Sequence, residues 1–527
     1  MSVRDNLSSD MIGPIERGLV AATVYLLIQG AGLLALSRST ALEGVAEQLS
    51  QAMPPAMFSF LLDNLLYSAK PLLLLGLIIG VYVASIVLAA IYQAAGIAGT
   101  SLRSVLVFGA TAVLVFAIDL LVRSAGLTAV EVILAAVAAA AFVSVYALAS
   151  RPVSAPAQAP TPAVAPTGLG RTFSRRMLVT GLVGFGGALA VGGYYWSTIL
   201  ARSAPITART TSGSDSQTDA ESTADDDPWT SISYLSPEIT PTDEFYFVSK
   251  NFVDPVVNNA DWSLTIEGLV DNPLSFTLDE FKQLPSAEQY NTLSCISNDV
   301  GGDLIGNAHW RGARLKPLLE QAGPQSGIKK VVFHAADGYT DSITFDVAMR
   351  SANLLAYEMN GDPLNHTHGS PLRLLVPGIY GMKNVKWITK IELVDHDFLG
   401  YWQKQGWSDP APVKTMSRVD GPTPDAMPGS GSQIAAGVAF AGDREISAVE
   451  ISTDEGATWR PAQVKPAIGP YSWSLWQAPI EVPADGSPLY VWVRAIDGDG
   501  LVQSGEDIRS YPDGASGYHK YRVMSHS

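Results

Sequence analysis

Five apolar runs, all before residue 201, constrain this chain more than any other feature. They are Leu19–Leu36, Pro71–Tyr92, Ser104–Val122, Leu127–Ala149 and Met177–Leu200. Each is long enough to cross a hydrocarbon core, which takes about 20 residues at helical rise. Asp119 and Glu131 are the charged exceptions, and both lie near the end of a run, where a side chain reaches the interface. Only 16% of the 527 residues are charged and 47% are hydrophobic, a balance that points to membrane segments. The expectation is four spans in residues 1–150 and a fifth at 177–200. Arg4, Arg17, Arg103, Arg151, Arg171, Arg175 and Arg176 fall on one set of flanks, against Arg38, Lys70 and Arg123 on the other. This bias puts the N-terminus inside and everything after Leu200 outside, although Arg202 and Arg209 run against it. The expected location is therefore the cell membrane, multi-pass, with the C-terminal part on the extracytoplasmic side.

Other function classes drop out on composition. The net charge of -16 suits no nucleic-acid binder, because phosphate contacts need Lys and Arg. One cysteine allows neither a disulfide framework nor a paired-cysteine zinc, thioredoxin-like or c-type haem site. No histidine precedes His309, so the spans hold no His-ligated haem, and no haem is expected.

Two linkers flank the fifth run. Residues 151–176 begin as a Pro/Ala-rich segment, Pro152–Gly170, that reads as extended. They end in Thr172-Phe173-Ser174-Arg175-Arg176, followed by Met177-Leu178-Val179 and a Gly-rich apolar stretch. This resembles a twin-arginine export signal placed internally, a route suited to a protein that folds before export. Residues 201–228 are Ser/Thr/Asp-rich without apolar periodicity and read as a disordered acidic tether.

Residues 229–425 read as an α+β domain. Trp262–Leu269, Lys330–Ala335, Ser342–Phe345, Leu372–Val376 and Thr389–Val394 have strand character. Thr277 and Glu280 form a capping box that opens a helix running to Leu284. Further helices are expected at Leu315–Gln321 and Asp346–Leu354. Cys295 sits at the end of an apolar turn or strand, in Thr292-Leu293-Ser294-Cys295-Ile296-Ser297-Asn298. A lone cysteine is more often a small buried hydrophobe than a ligand.

Several ordered blocks change that reading. They are Phe245–Phe252, Thr292–Asn298, Trp310–Leu315, Leu355–Leu364, His368–Arg373 and Gly378–Trp387. Together they resemble the sulfite oxidase family of molybdenum enzymes. The resemblance implies a mononuclear molybdenum–molybdopterin centre held by the Cys295 thiolate, with two-electron or oxygen-atom transfer to or from a small-molecule substrate. By the same resemblance Asn251, His368, Arg373, Asn384, Val385 and Lys386 contact the pterin, and Tyr339 and Lys250 stand on the catalytic side. His366 stands where the family often has arginine; His309 and His334 read as structural. The substrate side departs from sulfite oxidases. Lys250 and Phe252 replace an arginine and a histidine of the family, and Asp299 and Val300 follow Asn298. An acidic Asp299 near the metal disfavours sulfite unless Lys250 or Arg311 compensates.

Residues 430–527 read as an all-β, immunoglobulin-like sandwich, with strands at Ala436–Ala441, Ile446–Ser452, Tyr471–Ala478 and Leu489–Ala495. Glu450–Trp459 and Arg494–Asp497 resemble the dimerisation domain of the same family, which implies a homodimer. Asp497-Gly498-Asp499-Gly500 reads as a turn and lacks the full calcium-loop pattern. The expected fold class is thus an α-helical transmembrane anchor, an α+β sulfite-oxidase-like molybdopterin domain and a β-sandwich. The expected function is a membrane-anchored, extracytoplasmic molybdopterin-dependent oxidoreductase, with a quinone-linked redox partner docked at the anchor. The rivals are a sulfoxide-type reductase of the same family and a cofactor-free exported scaffold.

Overall fold

The protein was analysed as a computed structural model that describes residues 229–251, 254–422 and 429–523, the segment 69–95, and residues 19, 21–26, 45, 49, 111 and 138. The fifth apolar run, most of the first, third and fourth, the twin-arginine segment, both linkers and Phe252 lie outside the described residues. The chain divides into two compact units: Met1–Thr207 with Asn251–Val253, and Ala208–Lys250 with Asp254–Ser527.

In the first unit, α1 (Ala69–Ala94) is a 26-residue helix that contains the whole second apolar run. Ile79, Val83, Val87 and Ile91 recur at helical spacing and form one exposed apolar stripe. Another face is buried through Ile78, Ser85, Ala89 and Tyr92, and Tyr82 bonds Thr23 at 3.1 Å. Counted over residues whose side chains are described, no helix is long and apolar enough to cross a membrane.

The second unit opens with a five-stranded sheet ordered β2-β1-β10-β5-β6. Its strands are β1 (Ser263–Gly268), β2 (Leu274–Thr277), β5 (Lys330–Ala335), β6 (Thr340–Thr344) and β10 (Ile388–Val394). The predicted capping box is present: Thr277 and Glu280 bond reciprocally and open α2 (Leu278–Lys282). A second sheet holds β3 (Ser286–Ser294), β4 (Ile305–Arg314), β7 (Leu354–Met359) and β8 (Asp362–Pro363) in that order, with β9 (Arg373–Leu375) paired to β7. Between the sheets, α3 (Leu315–Ala322) buries Leu315, Leu318, Leu319 and Ala322, one stripe at helical spacing. It stops at Gly323, whose φ of 68° is the left-handed conformation that a helix C-terminus favours. The helix expected over Asp346–Leu354 is much shorter, only α4 (Phe345–Ala348). Asn353 Nδ2 donates to the Val347 and Ala348 carbonyls and closes it, and the chain then enters β7.

The last part is a sandwich of two four-stranded sheets. One holds β11 (Met416–Gly421), β12 (Gly431–Phe440), β16 (Ser474–Val482) and β15 (Gln463–Lys465). The other holds β14 (Arg460–Pro461), β13 (Ile446–Ser452), β17 (Leu489–Asp497) and β18 (His519–Val523). Inward positions such as Val449, Ile451, Trp476, Val491 and Val493 form its core. Asp497 ends β17 with its carboxylate engaged by Thr415 and Arg444 at 3.0 Å each and by the Leu501 N–H at 2.9 Å.

Candidate active site

Cys295 is the last residue before the loop of a hairpin. Strand β3 ends at Ser294, β4 begins at Ile305, and the Cys295 N–H donates to the Leu304 carbonyl at 2.9 Å to close the loop. Asn298, three residues on, keeps the loop tight: its N–H donates to the Cys295 carbonyl at 3.1 Å and its Oδ1 accepts from the Leu304 N–H at 2.9 Å. The thiol is buried, with Ser297 Oγ 3.0 Å from Sγ. Burial pushes its pKa up, against the pull of Ser297. Without a metal this is a protonated thiol, and a soft cation would draw the proton off.

A second group approaches from the segment between β8 and β9. His368 is buried and its Nε2 lies 2.9 Å from the Thr242 carbonyl. That carbonyl only accepts, so Nε2 carries the proton and Nδ1 presents a bare lone pair. His368 Nδ1 and Arg373 Nε are both buried without a partner. Burial lowers the His368 pKa to about 4 and that of Arg373 to about 10. Arg373 NH1 donates to the His368 carbonyl at 3.2 Å, and the guanidinium lies 5.5 Å from the Trp310 ring centroid. Here, then, are one orphaned acceptor, one orphaned cationic donor and a buried thiol. A molybdopterin, with amine donors, phosphate acceptors and a metal that takes thiolate, fits that set.

A turn carries the remaining block over Cys295. Gly381–Lys383 form one 3-10 turn after Tyr380. A Cβ on Gly381 would meet the Tyr246 hydroxyl at 2.6 Å and the Ser294 carbonyl oxygen at 3.2 Å, so only glycine allows this approach. Burial, and then the neighbouring Cys295, raise the Tyr380 phenol to about 12. Asn384 is turned inward: its Oδ1 accepts from the Val376 N–H at 2.7 Å, and its Nδ2 donates to the Ile379 and Tyr380 carbonyls at 3.2 and 3.1 Å. Its amide therefore shapes the turn. Val385 is buried and its carbonyl accepts from Leu374 at 2.8 Å. Lys386 Nζ donates to the Thr367 carbonyl at 3.1 Å and lies over Trp387.

Beneath the turn lies a buried charge network that the sequence reading missed. Lys383 Nζ contacts Asp341 Oδ1 at 2.7 Å, the Ser342 carbonyl at 2.8 Å and Asp409 Oδ1 at 3.0 Å. Asp409 also meets Lys330 at 2.6 Å. Tyr339 belongs to this network: its hydroxyl lies 2.8 Å from Asp341 Oδ2 and 2.9 Å from the Met382 carbonyl. Burial and then Asp341 raise its pKa well above the ordinary value. Tyr339 thus braces the turn from below.

Lys250 is held away from solvent, 3.9 Å from Asp337, the two side chains 4% and 5% exposed, with the Tyr401 ring 5.6 Å off. Asn251 falls in the first unit. Arg311 lies on the surface between Glu288 (3.8 Å) and Glu358 (3.6 Å), so it supplies no charge to the site. Asp299 and His366 are exposed. His334 bonds Glu392 at 2.8 Å and His309 lies 3.4 Å from Glu288, both on strands away from the cluster. The other residues missed in the sequence, Tyr246 and Tyr380, stand inside quoted blocks; an aromatic at a motif's centre was the available signal.

The fold and this site together define an oxidoreductase that takes a molybdopterin. Residues 251–402 match the family model for the oxidoreductase molybdopterin binding domain, and residues 425–525 match the Mo-co oxidoreductase dimerisation domain. The chain is 30% identical over 349 residues to the mitochondrial sulfite oxidase of Drosophila melanogaster, covering 55% of this chain and 60% of that protein. It is 29% identical over 342 residues to the sulfite oxidase of Arabidopsis thaliana, covering 52% and 84%. It is 33% identical over 146 residues to the uncharacterized oxidoreductase YuiH of Bacillus subtilis, covering 28% and 72%. The chain belongs to the sulfite oxidase family of molybdenum oxidoreductases. It spans less than two thirds of the fly relative's length. The dimerisation domain suggests a homodimer.

Proposed function

We propose that this chain is a membrane-anchored, extracytoplasmic molybdopterin oxidoreductase acting on a small-molecule substrate. The observation that carries the catalytic part is a lone buried thiol, Cys295, in the same domain as two orphaned buried polar atoms, His368 Nδ1 and Arg373 Nε. The group they would hold supplies oxygen-atom or two-electron transfer at molybdenum. Cys295 would be its thiolate ligand. His368 would accept a hydrogen bond from the pterin, Arg373 would meet its acceptor atoms, and Lys386 would add a donor. Asn384 and Val385 shape the cradle through the turn. Lys250 and Tyr339 act as positioning residues, one through Asp337 and the other through Asp341 and the Met382 carbonyl. Burial of the cluster excludes water and keeps each of these contacts strong.

The anchor rests on the five apolar runs, on the full length of α1 and on its exposed apolar stripe. Positive-inside bias places residues after 200 outside, and a span count above that of a simple tether points to a docked quinone-linked partner.

The test is metal and pterin content of detergent-purified protein, wild type beside Cys295→Ala. About one molybdenum and one pterin per chain, with the metal lost or altered in the variant, is the expected result. Folded wild-type protein with neither, from a cofactor-competent host, refutes the catalytic reading. Extraction of the chain from membranes by alkaline carbonate refutes the anchor.

A further inference from the structure

His368 presents a bare lone pair at Nδ1 only while its proton is held on the other nitrogen. Burial keeps the ring neutral at pH 7, so two tautomers compete, and the partner of one nitrogen decides between them. That partner is the Thr242 carbonyl, 2.9 Å from Nε2. It lies in a short turn outside both sheets, where the Glu244 and Phe245 N–H groups donate to the Pro241 carbonyl at 3.0 and 2.9 Å. Phe245 grips the imidazole edge-on at 5.6 Å, which limits the tilt of the ring but does not choose a tautomer.

Asn360 fastens the turn. It stands with Gly361 between β7 and β8, at φ of 53° and 88°, both in the left-handed region. Glycine satisfies such a backbone as well as asparagine does, so the backbone alone does not call for an amide. The two ends of that amide serve different elements. Oδ1 accepts from the His309 N–H at 3.0 Å, and the Asn360 N–H donates to the His309 carbonyl at 2.7 Å, which together satisfy the edge of β4. Nδ2 donates to the Thr240 carbonyl at 3.0 Å and to Thr242 Oγ1 at 3.1 Å. One amide thus joins β4 to the residue that holds the His368 proton. A separate fastening, Thr240 with the Asn307 backbone at 2.8 and 3.1 Å, lies upstream of Thr242.

We infer that Asn360 is a positioning residue: by seating Thr242 it keeps the His368 proton on Nε2 and leaves Nδ1 open to a donor N–H of the pterin. The inference rests on the proposed contact between His368 and the pterin. A carbonyl displaced by about 1 Å no longer meets hydrogen-bond geometry at Nε2. The proton then also occupies Nδ1, where a donor would face a donor.

The experiment uses detergent-purified holoenzyme carrying 15N-labelled histidine. The tautomer of His368 is read by solid-state NMR at pH 7, with His368→Phe identifying its signals. Release of pterin in dilute guanidinium is followed by fluorescence. Asn360→Asp keeps the turn and the acceptor for the His309 N–H and loses the donor to Thr240 and Thr242. Thr240→Val loosens the same segment by deleting the bond from the Asn307 N–H and spares both Nδ2 bonds. Wild type and Thr240→Val are expected to show the Nε2–H form alone and to release pterin alike. Asn360→Asp is expected to show both tautomers and to release pterin about tenfold faster. Thr242→Val removes the other end of the same bond and moves both readouts in the same direction, which keeps the test open if Asn360→Asp does not fold. A pure Nε2–H form with wild-type release in Asn360→Asp or Thr242→Val overturns the inference, and so does a Thr240→Val protein that behaves like Asn360→Asp. In both cases, faster release from His368→Phe leaves the pterin contact standing. Wild-type release from His368→Phe removes that contact and the inference with it.

Discussion

Lys383→Met is the sharpest test of how the turn over Cys295 is held. Lys383 and Asp341 are each 1% exposed and 2.7 Å apart, and Asp409 stands 3.0 Å away on the same ammonium. Removing the ammonium leaves Asp409 with Lys330, but leaves Asp341 as a buried carboxylate held by the Ser342 N–H, Tyr339 and Gln403. Breaking a buried pair by deleting one partner costs about 3–5 kcal/mol. For a domain of this size, that lowers the melting temperature by roughly 6–20 °C. Lys383→Met with Asp341→Asn removes both charges and keeps the hydrogen-bond geometry, so it recovers more than half of the loss. A pH signature accompanies the single variant. Burial already raises the Asp341 pKa, and Lys383 is the largest opposing influence. With the lysine gone, the folded pKa rises further above the unfolded value of about 3.9. A carboxyl raised in the folded state is most favourable at low pH and loses stability as pH climbs through that window. The deficit is therefore larger at pH 8 than at pH 5. Thermal melts of the purified protein at both pH values measure it. A single variant within about 2 °C of wild type, a deficit flat with pH, or a double variant as poor as the single one refutes the reasoning.

Two further outcomes follow from the same geometry. Asn384→Ala deletes three hydrogen bonds to Val376, Ile379 and Tyr380; it lowers stability by about 1–3 kcal/mol in thermal melts and reduces bound pterin. His519 is held neutral by burial, its pKa near 4 against an ordinary 6.5. The unfolded chain takes up the proton first, so stability falls as pH drops from about 6.5 toward 4. His519→Gln flattens that limb of a melting-temperature profile, and an unchanged limb rejects the assignment.

What the sequence disclosed follows from how local each signal is. Strand β5 and strand β13 match their expected limits because alternation or a dense β-branched run is written in consecutive residues. The capping box was readable because both partners lie within four residues. Asp346–Leu354 misled because β7, inside its sheet, is an almost wholly buried run and carries no alternation to announce it. At the site, Cys295, His368 and Arg373 stand in the ordered blocks, and the structure buries all three, leaving His368 Nδ1 and Arg373 Nε without partners. Lys383 was not reachable. It stands one residue before Asn384 and looks like any loop lysine, while its partners lie 42 and 26 residues away in sequence. Tyr246 was hidden for the opposite reason, because an aromatic beside Phe245 reads as core until its hydroxyl is found without a partner.

The β-sandwich has a part in the site that its dimerisation label leaves out. Strand β3, which delivers Cys295, is bonded outward to the sandwich part: the Thr292 N–H donates to the Tyr471 carbonyl at 2.8 Å, and Thr292 Oγ1 accepts from the Trp473 N–H at 2.9 Å. The loop after the cysteine is held by the same part. Arg418 NH1 donates to the Gly302 carbonyl at 2.9 Å, and the His519 ring fills the space where a Gly301 side chain would stand. The turn over the thiol is tied there too, through the Val413 N–H to the Gly378 carbonyl at 2.9 Å and the Tyr380 N–H to the Ala411 carbonyl at 3.0 Å. Strand β3, the loop after Cys295 and the turn above it are thus tied to β11, β18 or the segments leading into β16 and β11. A site needs support at this level to hold its geometry within a fraction of an ångström. Loosening the sandwich therefore loosens the thiol.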